Sequence, residues 1–160
     1  PYDPMDQVME DRLNAILEAA VAQDAAAVKA QFAPNAIAAQ PELDSQIEAL
    51  FDYYDSENGE IDNISGRAGS ASDGAGGKNC YYEMSGKIVS GEMYLVYIRA
   101  ITEDTNDPDN VGVWALLLRR KADEADYPDG LSYHVKGEED MIGVYVGLPA
   151  YRFDLGLPTE

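Results

Sequence analysis

The spacing of the apolar residues changes once along the chain, and this change constrains the fold more than any other feature. Up to about residue 54, apolar residues recur every three or four positions, which is the period of a helix that buries one face. From Tyr81 onwards the period falls to two, and β-branched and aromatic residues predominate, as they do in half-buried strands. The sequence therefore predicts helices in the first third and a sheet in the remainder, which is an α+β fold.

Three helices are predicted, at about residues 3–22, 25–32 and 41–55. Asp24 is a suitable N-cap for the second helix, and Pro34 is expected to stop it, because proline disfavours helical geometry in the residue before it. Residues 35–40 are then expected to form a connector. Asn58 and Gly59 are expected to end the third helix, with Gly59 in the left-handed conformation that other residues resist.

Five strands are predicted, at about residues 80–90, 93–103, 111–121, 131–136 and 142–147. Short polar turns separate them, so neighbouring strands are expected to be antiparallel. The glycine-rich segment 65–79 is either a loop or two weak strands joined by one. The segment 111–118, VGVWALLL, is apolar on both faces. One face is expected to meet the helices, and the other to be covered by the chain itself or by a second copy.

The length of 160 residues predicts one domain over residues 1–160, with three helices packed on a curved antiparallel sheet of about four to six strands. The net charge of −19, from 11 basic and 30 acidic residues, repels phosphate backbones and anionic lipids. Nucleic-acid binding is therefore disfavoured. The sequence contains no apolar run of 18 residues, so no transmembrane segment is predicted in this chain.

Two glycine–lysine pairs, Gly77-Lys78 and Gly86-Lys87, raise the question of a phosphate-binding loop. That loop also needs a glycine five positions before the pair and a serine or threonine directly after it. Neither pair has these residues, so both are interpreted as flexible turns.

A calcium site is not predicted either, because the required ligands or their spacing are missing. The segment around Gly59 has the glycine and isoleucine spacing of an EF-hand loop, but its first and last ligand positions would be Tyr54 and Ser65, which carry no carboxylate. The acidic turn 103–110 has carboxylates without the ligand spacing of such a loop, and calcium binding there would be weak. The sequence therefore predicts neither a metal site nor a cofactor.

No catalytic residue is predicted. The single histidine, His134, lies in a strand-like segment on the face shared with Ser132 and Lys136, and is expected to face solvent. The single cysteine, Cys80, cannot form an internal disulfide and is expected to be a half-buried strand residue.

Most of the eleven tyrosines lie in the β-rich part of the chain. Aromatic rings with polar tips can line a pocket for a small organic ligand, although they also suit half-buried positions in a sheet. Tyr97 and Arg99 share one face of a predicted strand, and Trp114 lies on the adjacent predicted strand. We expect these three residues to line such a pocket.

Three stretches carry a resemblance to a known family: LNAILEAAVAQDAAAVKAQFAPNA, ELDSQIEALFDYYDSENGEI and GEMYLVYIRAITEDTNDPDNVGVWALLL. Together they cover about half of the chain. The chain resembles the nuclear transport factor 2-like superfamily, and within it an uncharacterised family of predicted secreted bacterial lipoproteins. The resemblance implies a cone-shaped sheet wrapped around the first helix. It also implies an extracytoplasmic location at the cell surface, with a signal segment and lipid anchor upstream of this chain.

Three functions follow as hypotheses. The first is non-catalytic binding of a small ligand or a protein partner in the cone. The second is an enzyme of the lyase or isomerase kind found in the same superfamily, which needs an Asp, Glu or His buried in the cavity. The third is a dimeric interaction module that pairs through the sheet and has no ligand.

Overall fold

The computed structural model describes residues 4–54, 59–72, 75–89, 92–122 and 141–147. The helices in this part of the chain are α1 (Pro4–Val21), α2 (Ala25–Lys29), α3 (Pro34–Ala39) and α4 (Leu43–Tyr53). The strands are β1 (Glu60–Ser72), β2 (Lys78–Val89), β3 (Met93–Asp104), β4 (Gly112–Arg120) and β5 (Gly143–Val146). The predicted α+β class, with helices first and a sheet after them, is confirmed.

Two helix boundaries illustrate how local chemistry sets the helical layer. The side chain of Asp24 caps α2 as predicted, since its Oδ1 accepts a hydrogen bond from the amide of Ala27 at 3.1 Å. The prediction that Pro34 stops the second helix is wrong, because α2 already ends at Lys29. Instead Pro34 begins α3, where its fixed φ fits and its missing amide hydrogen costs nothing. The predicted connector at 35–40 is therefore largely helical.

The predicted role of Gly59 is also wrong. Helix α4 ends at Tyr53, Tyr54 is extended, and Gly59 does not have a positive φ. A Cβ on Gly59 would lie 2.5 Å from Tyr54 Oη and 2.6 Å from Ile88 Cγ2. Glycine is needed here because Tyr54 packs directly against the backbone. The preceding Asn58 lies outside the described residues.

The strands form one sheet in the order β1-β2-β3-β4-β5. The first four are antiparallel neighbours, as predicted, while β5 runs parallel to β4. Parallel pairing is available because residues 121–142 are long enough for a crossover, whereas a short hairpin turn permits only antiparallel pairing. The glycine-rich segment follows the two-strand alternative, since it supplies most of β1 and the start of β2. The strand predicted at 131–136 lies outside the described residues.

The sheet has an inner face toward the helices and an outer face on the opposite side. Inner-face residues of β2, β3 and β4 form one hydrophobic core with α1 and α4, and the fully buried members include Leu13, Ile16, Leu50, Met84, Ile98 and Leu116. Strand β4 is buried on both faces, as its sequence predicts: Leu118 belongs to the inner core, and Leu117 is fully buried on the outer face. The outer face of β4 is therefore covered within a single copy of the chain.

Long-range polar contacts fix the helices to the far end of the sheet. Gln46 Oε1 accepts a hydrogen bond from the amide of Val144 at 2.8 Å, and Gln40 Nε2 donates to the carbonyl oxygen of Ile142 at 2.8 Å. These contacts position the start of β5 against α3 and α4. Within the described residues, no helix is both long enough and apolar enough to cross a membrane.

Candidate functional site

Four polar residues meet on the outer face of the sheet: Glu83 of β2, Tyr97 and Arg99 of β3, and Arg119 of β4. We call them the outer-face cluster. The antiparallel register pairs Glu83 with Arg99, and Arg99 with Ala115. Tyr97 occupies the centre, because residues two apart on one strand share a face and diagonal neighbours on adjacent strands are within reach of long side chains.

The core of the cluster is a buried hydrogen bond. Tyr97 Oη donates to Glu83 Oε2 at 2.8 Å, and the two side chains are 0% and 9% exposed. A carboxylate so withdrawn from water is destabilised unless donors compensate it. The Tyr97 hydroxyl is one such donor, and it fixes the position of the carboxylate at the middle of the sheet.

The rest of the cluster is cationic. Arg99 is half-buried and its Nη2 donates to the carbonyl oxygen of Met141 at 2.7 Å, while Arg119 is only 3% exposed. Lys87, half-buried, occupies the same face, since the register aligns it with Leu95 and Arg119. Asp62 of β1 lies opposite Lys87 on this face, so three cations accompany two carboxylates, Glu83 and Asp62, in a chain whose net charge is −19. Cations are therefore in excess here, in contrast to the whole protein.

A β-bulge places Arg99 at the edge of this cluster. The β3–β4 register shifts between Arg99 and Ala100, where Ala115 and Val113 are successive partners on β4. The extra residue on β4 is Trp114. Bulges of this kind bend a strand and redirect the side chains beside them.

The structure brings two of the three predicted pocket residues together and separates the third. Tyr97 and Arg99 share the outer face, whereas Trp114 packs against the inner core of the sheet. The indole Nε1 of Trp114 donates to the carbonyl oxygen of Asn110 at 2.8 Å, which satisfies its polar atom locally. Trp114 is therefore not part of the outer-face cluster.

The interface between α1 and the sheet, where a cone-shaped fold would place its pocket, is filled by side chains. Residues on both sides of it have no surface accessible to water, among them Met9, Leu13, Ile16, Val96 and Ile98. A side chain that lined a water-sized cavity would retain accessible surface, because such surface includes the walls of internal cavities. These described residues therefore leave no room for a ligand between α1 and β3.

The acidic turn at 103–110 is a closed hydrogen-bonded structure. Asp104 Oδ1 accepts from the amides of Asn106 and Asp107, both at 3.0 Å, and Asp104 Oδ2 accepts from Asn110 Nδ2 at 2.9 Å and Asn79 Nδ2 at 3.3 Å. These donors lower the pKa of Asp104 below its ordinary value, with the Asn110 side chain the largest cause. Both carboxylate oxygens are engaged by protein donors. No group of three metal-ligating side chains occurs among the described residues.

Two further residues were singled out in the sequence, the single cysteine and the single histidine. Cys80 is a half-buried, free thiol in β2, as predicted. His134 lies outside the described residues.

Sequence reasoning missed two members of the cluster, Glu83 and Arg119. Glu83 was within reach of prediction, because the short turn after β2 pairs Val89 with Met93, and counting back from that pair places Glu83 opposite Arg99. Arg119 was not, because the bulge at Arg99 shifts the β3–β4 register, and no residue in the turn at 104–110 signals that shift.

Comparison with known proteins identifies a family without assigning an activity. A model described as "Domain of unknown function (DUF5104)" matches residues 15–123, which is more than half of the chain and includes the whole outer-face cluster. No curated protein and no solved structure shows a significant match. The chain therefore belongs to the DUF5104 family of domains of unknown function.

Proposed function

We propose that the chain is a non-catalytic binding domain that holds a small organic anion against the outer-face cluster. One observation carries this proposal: a half-buried arginine, Arg99, lies beside the buried Tyr97–Glu83 pair on a face where cations outnumber carboxylates. The guanidinium of arginine binds carboxylates through two parallel hydrogen bonds. A small organic carboxylate has the matching chemistry.

The charge of the whole protein sharpens this argument. A net charge of −19 repels anions at long range, so an anion site in this chain must gain its affinity from short-range contacts. Arg99 and Lys87 are half-buried rather than fully exposed, so salt screens their interactions less than those of surface charges. We therefore expect binding that depends on individual side chains and only weakly on ionic strength.

The proposal places the ligand on the outer face, whereas the sequence expectation placed it in the cone, between α1 and the sheet. The close packing of Leu13 and Ile16 against the inner face removes support for that earlier location. The proposal keeps the rest of the resemblance: a nuclear transport factor 2-like fold and an extracytoplasmic location through a lipid anchor upstream. Fractionation of cells that express the complete gene product would test the location, and recovery of the protein in the cytosol would contradict it.

Titration with a simple aromatic anion tests the binding site. The probe is benzoate, measured by isothermal titration calorimetry, with benzyl alcohol as an uncharged molecule of similar shape. We expect the wild-type protein to bind benzoate, and Arg99→Met to weaken binding at least tenfold, because methionine keeps the apolar stem and loses the charge. Lys29→Met is the matched control, since Lys29 is ion-paired with Asp44 on the helical layer, away from the sheet.

Two outcomes would contradict the proposal. Equal binding of benzoate and benzyl alcohol would show that charge plays no part. Equal loss in Arg99→Met and Lys29→Met would show that the effect comes from the net charge rather than from the outer face. Native mass spectrometry of the purified protein adds an independent measurement, because a tightly held ligand is expected to co-purify with wild type and to be lost from Arg99→Met.

A second candidate is an enzyme of the lyase or isomerase kind, and it is favoured by one observation. Glu83 is a buried carboxylate with a tyrosine hydroxyl 2.8 Å away, and a carboxylate and a phenol are suitable as a general base and a general acid. If ligand recovered from the protein exchanges its carbon-bound hydrogen for deuterium in D2O, and Glu83→Gln abolishes that exchange, the enzymatic candidate is supported. Absence of exchange in wild type argues for binding alone.

A further inference from the structure

Strand β1 forms an edge of the sheet. In the described part of the chain it pairs with β2 on one side and has no strand neighbour on the other. The bulge in this pair lies between Asp62 and Ser65, after which residues 65–72 pair with β2 without interruption. We call residues 65–72 the β1 edge. An uninterrupted edge of this kind presents backbone donors and acceptors that a further extended chain can pair with.

The β1 edge lacks the features that usually prevent such pairing. Natural edge strands are protected by proline, by inward-pointing charge, by lysine or by shortness. The β1 edge reads SGRAGSAS, without proline or lysine and with one charged residue. Small residues dominate it, and Gly66, Ala68, Ser70 and Ser72 are all exposed. These four residues would therefore present little steric obstruction to an incoming backbone.

An aromatic side chain on the neighbouring strand gives the edge an apolar contact surface. Tyr81 of β2 pairs with Gly69, and its ring lies directly over that glycine, in the space that a Cβ would occupy. Tyr81 is 40% exposed. Because the ring lies over β1 rather than over the centre of the sheet, its exposed part is available to a side chain on a strand added next to β1.

The negative charge of the protein determines which kind of chain could pair with the β1 edge. Antiparallel pairing of two β1 edges would bring together two copies that each carry a net charge of −19. Glu60 and Asp62, just before the edge, are exposed carboxylates that would add to this repulsion. A basic segment is instead attracted by the same field, because the net charge and these two carboxylates outweigh the single cation of the edge, Arg67. We propose that the β1 edge binds an extended, lysine- or arginine-bearing segment of a partner protein by strand addition.

Designed peptides test this proposal without knowledge of the natural partner. The probe is an eight-residue peptide of alternating lysine and valine, labelled for fluorescence anisotropy. One control has the same charge with a proline in place of a central valine, which blocks strand pairing; the other replaces lysine with glutamate. We expect the probe to bind at least tenfold more tightly than either control. Equal binding of the probe and the proline control would show that general attraction between opposite charges explains the binding. That result would overturn the proposal.

Proline variants of the protein test where the probe binds. The amides of consecutive residues in an antiparallel strand point to opposite sides, so one of Ser70 and Ala71 directs its amide to the free side and the other to β2. We therefore expect one of Ser70→Pro and Ala71→Pro to keep the wild-type thermal midpoint and to lose probe binding at least tenfold. If the variant that keeps its midpoint binds the probe as wild type does, the proposal is wrong.

A lysine variant keeps the test decisive even if both proline variants unfold. Ser70→Lys adds a charge that repels the probe at the β1 edge, and Ala22→Lys adds the same charge to an exposed position after α1. We expect only Ser70→Lys to weaken binding severalfold, and equal effects would overturn the proposal. Sedimentation of the free protein examines the alternative occupant: a dimer that Ser70→Lys dissociates would assign the β1 edge to a second copy.

Discussion

At the scale of single residues, several glycines in this chain are required by contacts that the sequence does not reveal. Gly112 has a φ of +139° and begins β4 against the segment that joins α2 to α3. A Cβ there would lie 2.5 Å from the amide nitrogen of Ala33, which is backbone and cannot easily move. The amide of Ala33 donates to the carbonyl oxygen of Val113, so this contact fixes the helical layer to the sheet.

The effect of replacing Gly112 can be compared with that of replacing Gly76, which serves as a matched control. Gly112→Ala is expected to lower the free energy of unfolding by about 3 kcal/mol or more, because overlap with the Ala33 backbone adds to the strain of a positive φ. Gly76 also has a positive φ, +89°, but nothing lies within 4 Å of its Cβ position. Gly76→Ala should therefore cost only about 1 kcal/mol. Urea unfolding of both variants measures the difference, and equal losses would contradict the role given to Ala33.

Tyr54 is a second residue whose environment is decided by packing. It is 3% exposed, its ring lies 5.0 Å from that of Tyr94, and burial, followed by the influence of Tyr94, raises its pKa to about 12. The ordinary value is 10.0, so between about pH 10 and pH 12 the unfolded chain loses this proton and the folded chain keeps it. Stability from this group is complete below pH 10 and is lost as the pH rises toward 12.

The alkaline prediction is therefore specific. Tyr54→Phe has no proton to lose, so its free energy of unfolding is expected to fall less steeply than that of wild type between about pH 10 and pH 12. Urea unfolding at a series of pH values measures this slope. Parallel curves for the two proteins would show that Tyr54 does not contribute to alkaline unfolding.

At the scale of elements, the turn between β3 and β4 depends on one carboxylate. The turn contains a short 3-10 helix, Pro108–Asn110, and Asn35 of α3 donates to both Asp107 and Asn110. Asp104 organises the turn from the end of β3. Its lowered pKa means that it contributes stability above the ordinary value of 3.8, and that this contribution is lost as the pH falls through the lower folded value.

Replacement of Asp104 should therefore flatten the acid side of the stability curve. Asp104→Asn is expected to be less stable than wild type at pH 7, because one amide oxygen cannot replace two carboxylate oxygens that accept several hydrogen bonds. It is also expected to lose less stability than wild type as the pH falls below the ordinary carboxyl pKa of 3.8. Asp109→Asn, in the same turn, separates loss of charge from loss of these bonds at pH 7. Similar stabilities of the two variants at pH 7 would contradict the role of Asp104.

At the scale of the whole molecule, one layer of helices covers the inner face of a mixed sheet, and the outer face of β4 is covered within the same chain. The sequence hypothesis of a dimer rested on the doubly apolar segment 111–118. Since Leu117 is fully buried in one copy, that segment no longer requires a second copy as its cover. The net charge of −19 is the remaining property of the molecule that acts over long distances.

Self-repulsion of this charge should make stability depend on salt. The screening length falls from about 30 Å at 0.01 M to about 3 Å at 1 M ionic strength, so added NaCl is expected to raise the thermal midpoint by several degrees. The control is the same protein near its isoelectric point of 4.1, where the dependence on NaCl should largely disappear. A midpoint that does not change with NaCl at pH 7 would show that the charges are already compensated.

The sequence by itself determined the α+β class, the position of α1, the cap at Asp24 and the burial of β4 on both faces. Each of these depends on the period of apolar residues or on chemistry within a few positions, which the sequence displays directly. It also placed Tyr97 and Arg99 on one face, because alternation along a single strand is a local property.

Only the tertiary structure decided the parallel position of β5, the start of α3 at Pro34, the separation of Trp114 from Tyr97, and the meeting of Glu83 and Arg119 around that tyrosine. These features depend on strand register, on a bulge and on contacts between residues about 100 positions apart, such as that of Gln46 with Val144. The physical reason is that a one-residue shift in register moves a side chain to the opposite face of the sheet. The free-energy difference between two registers depends on which face the rest of the chain buries, and residues near in sequence do not determine it alone.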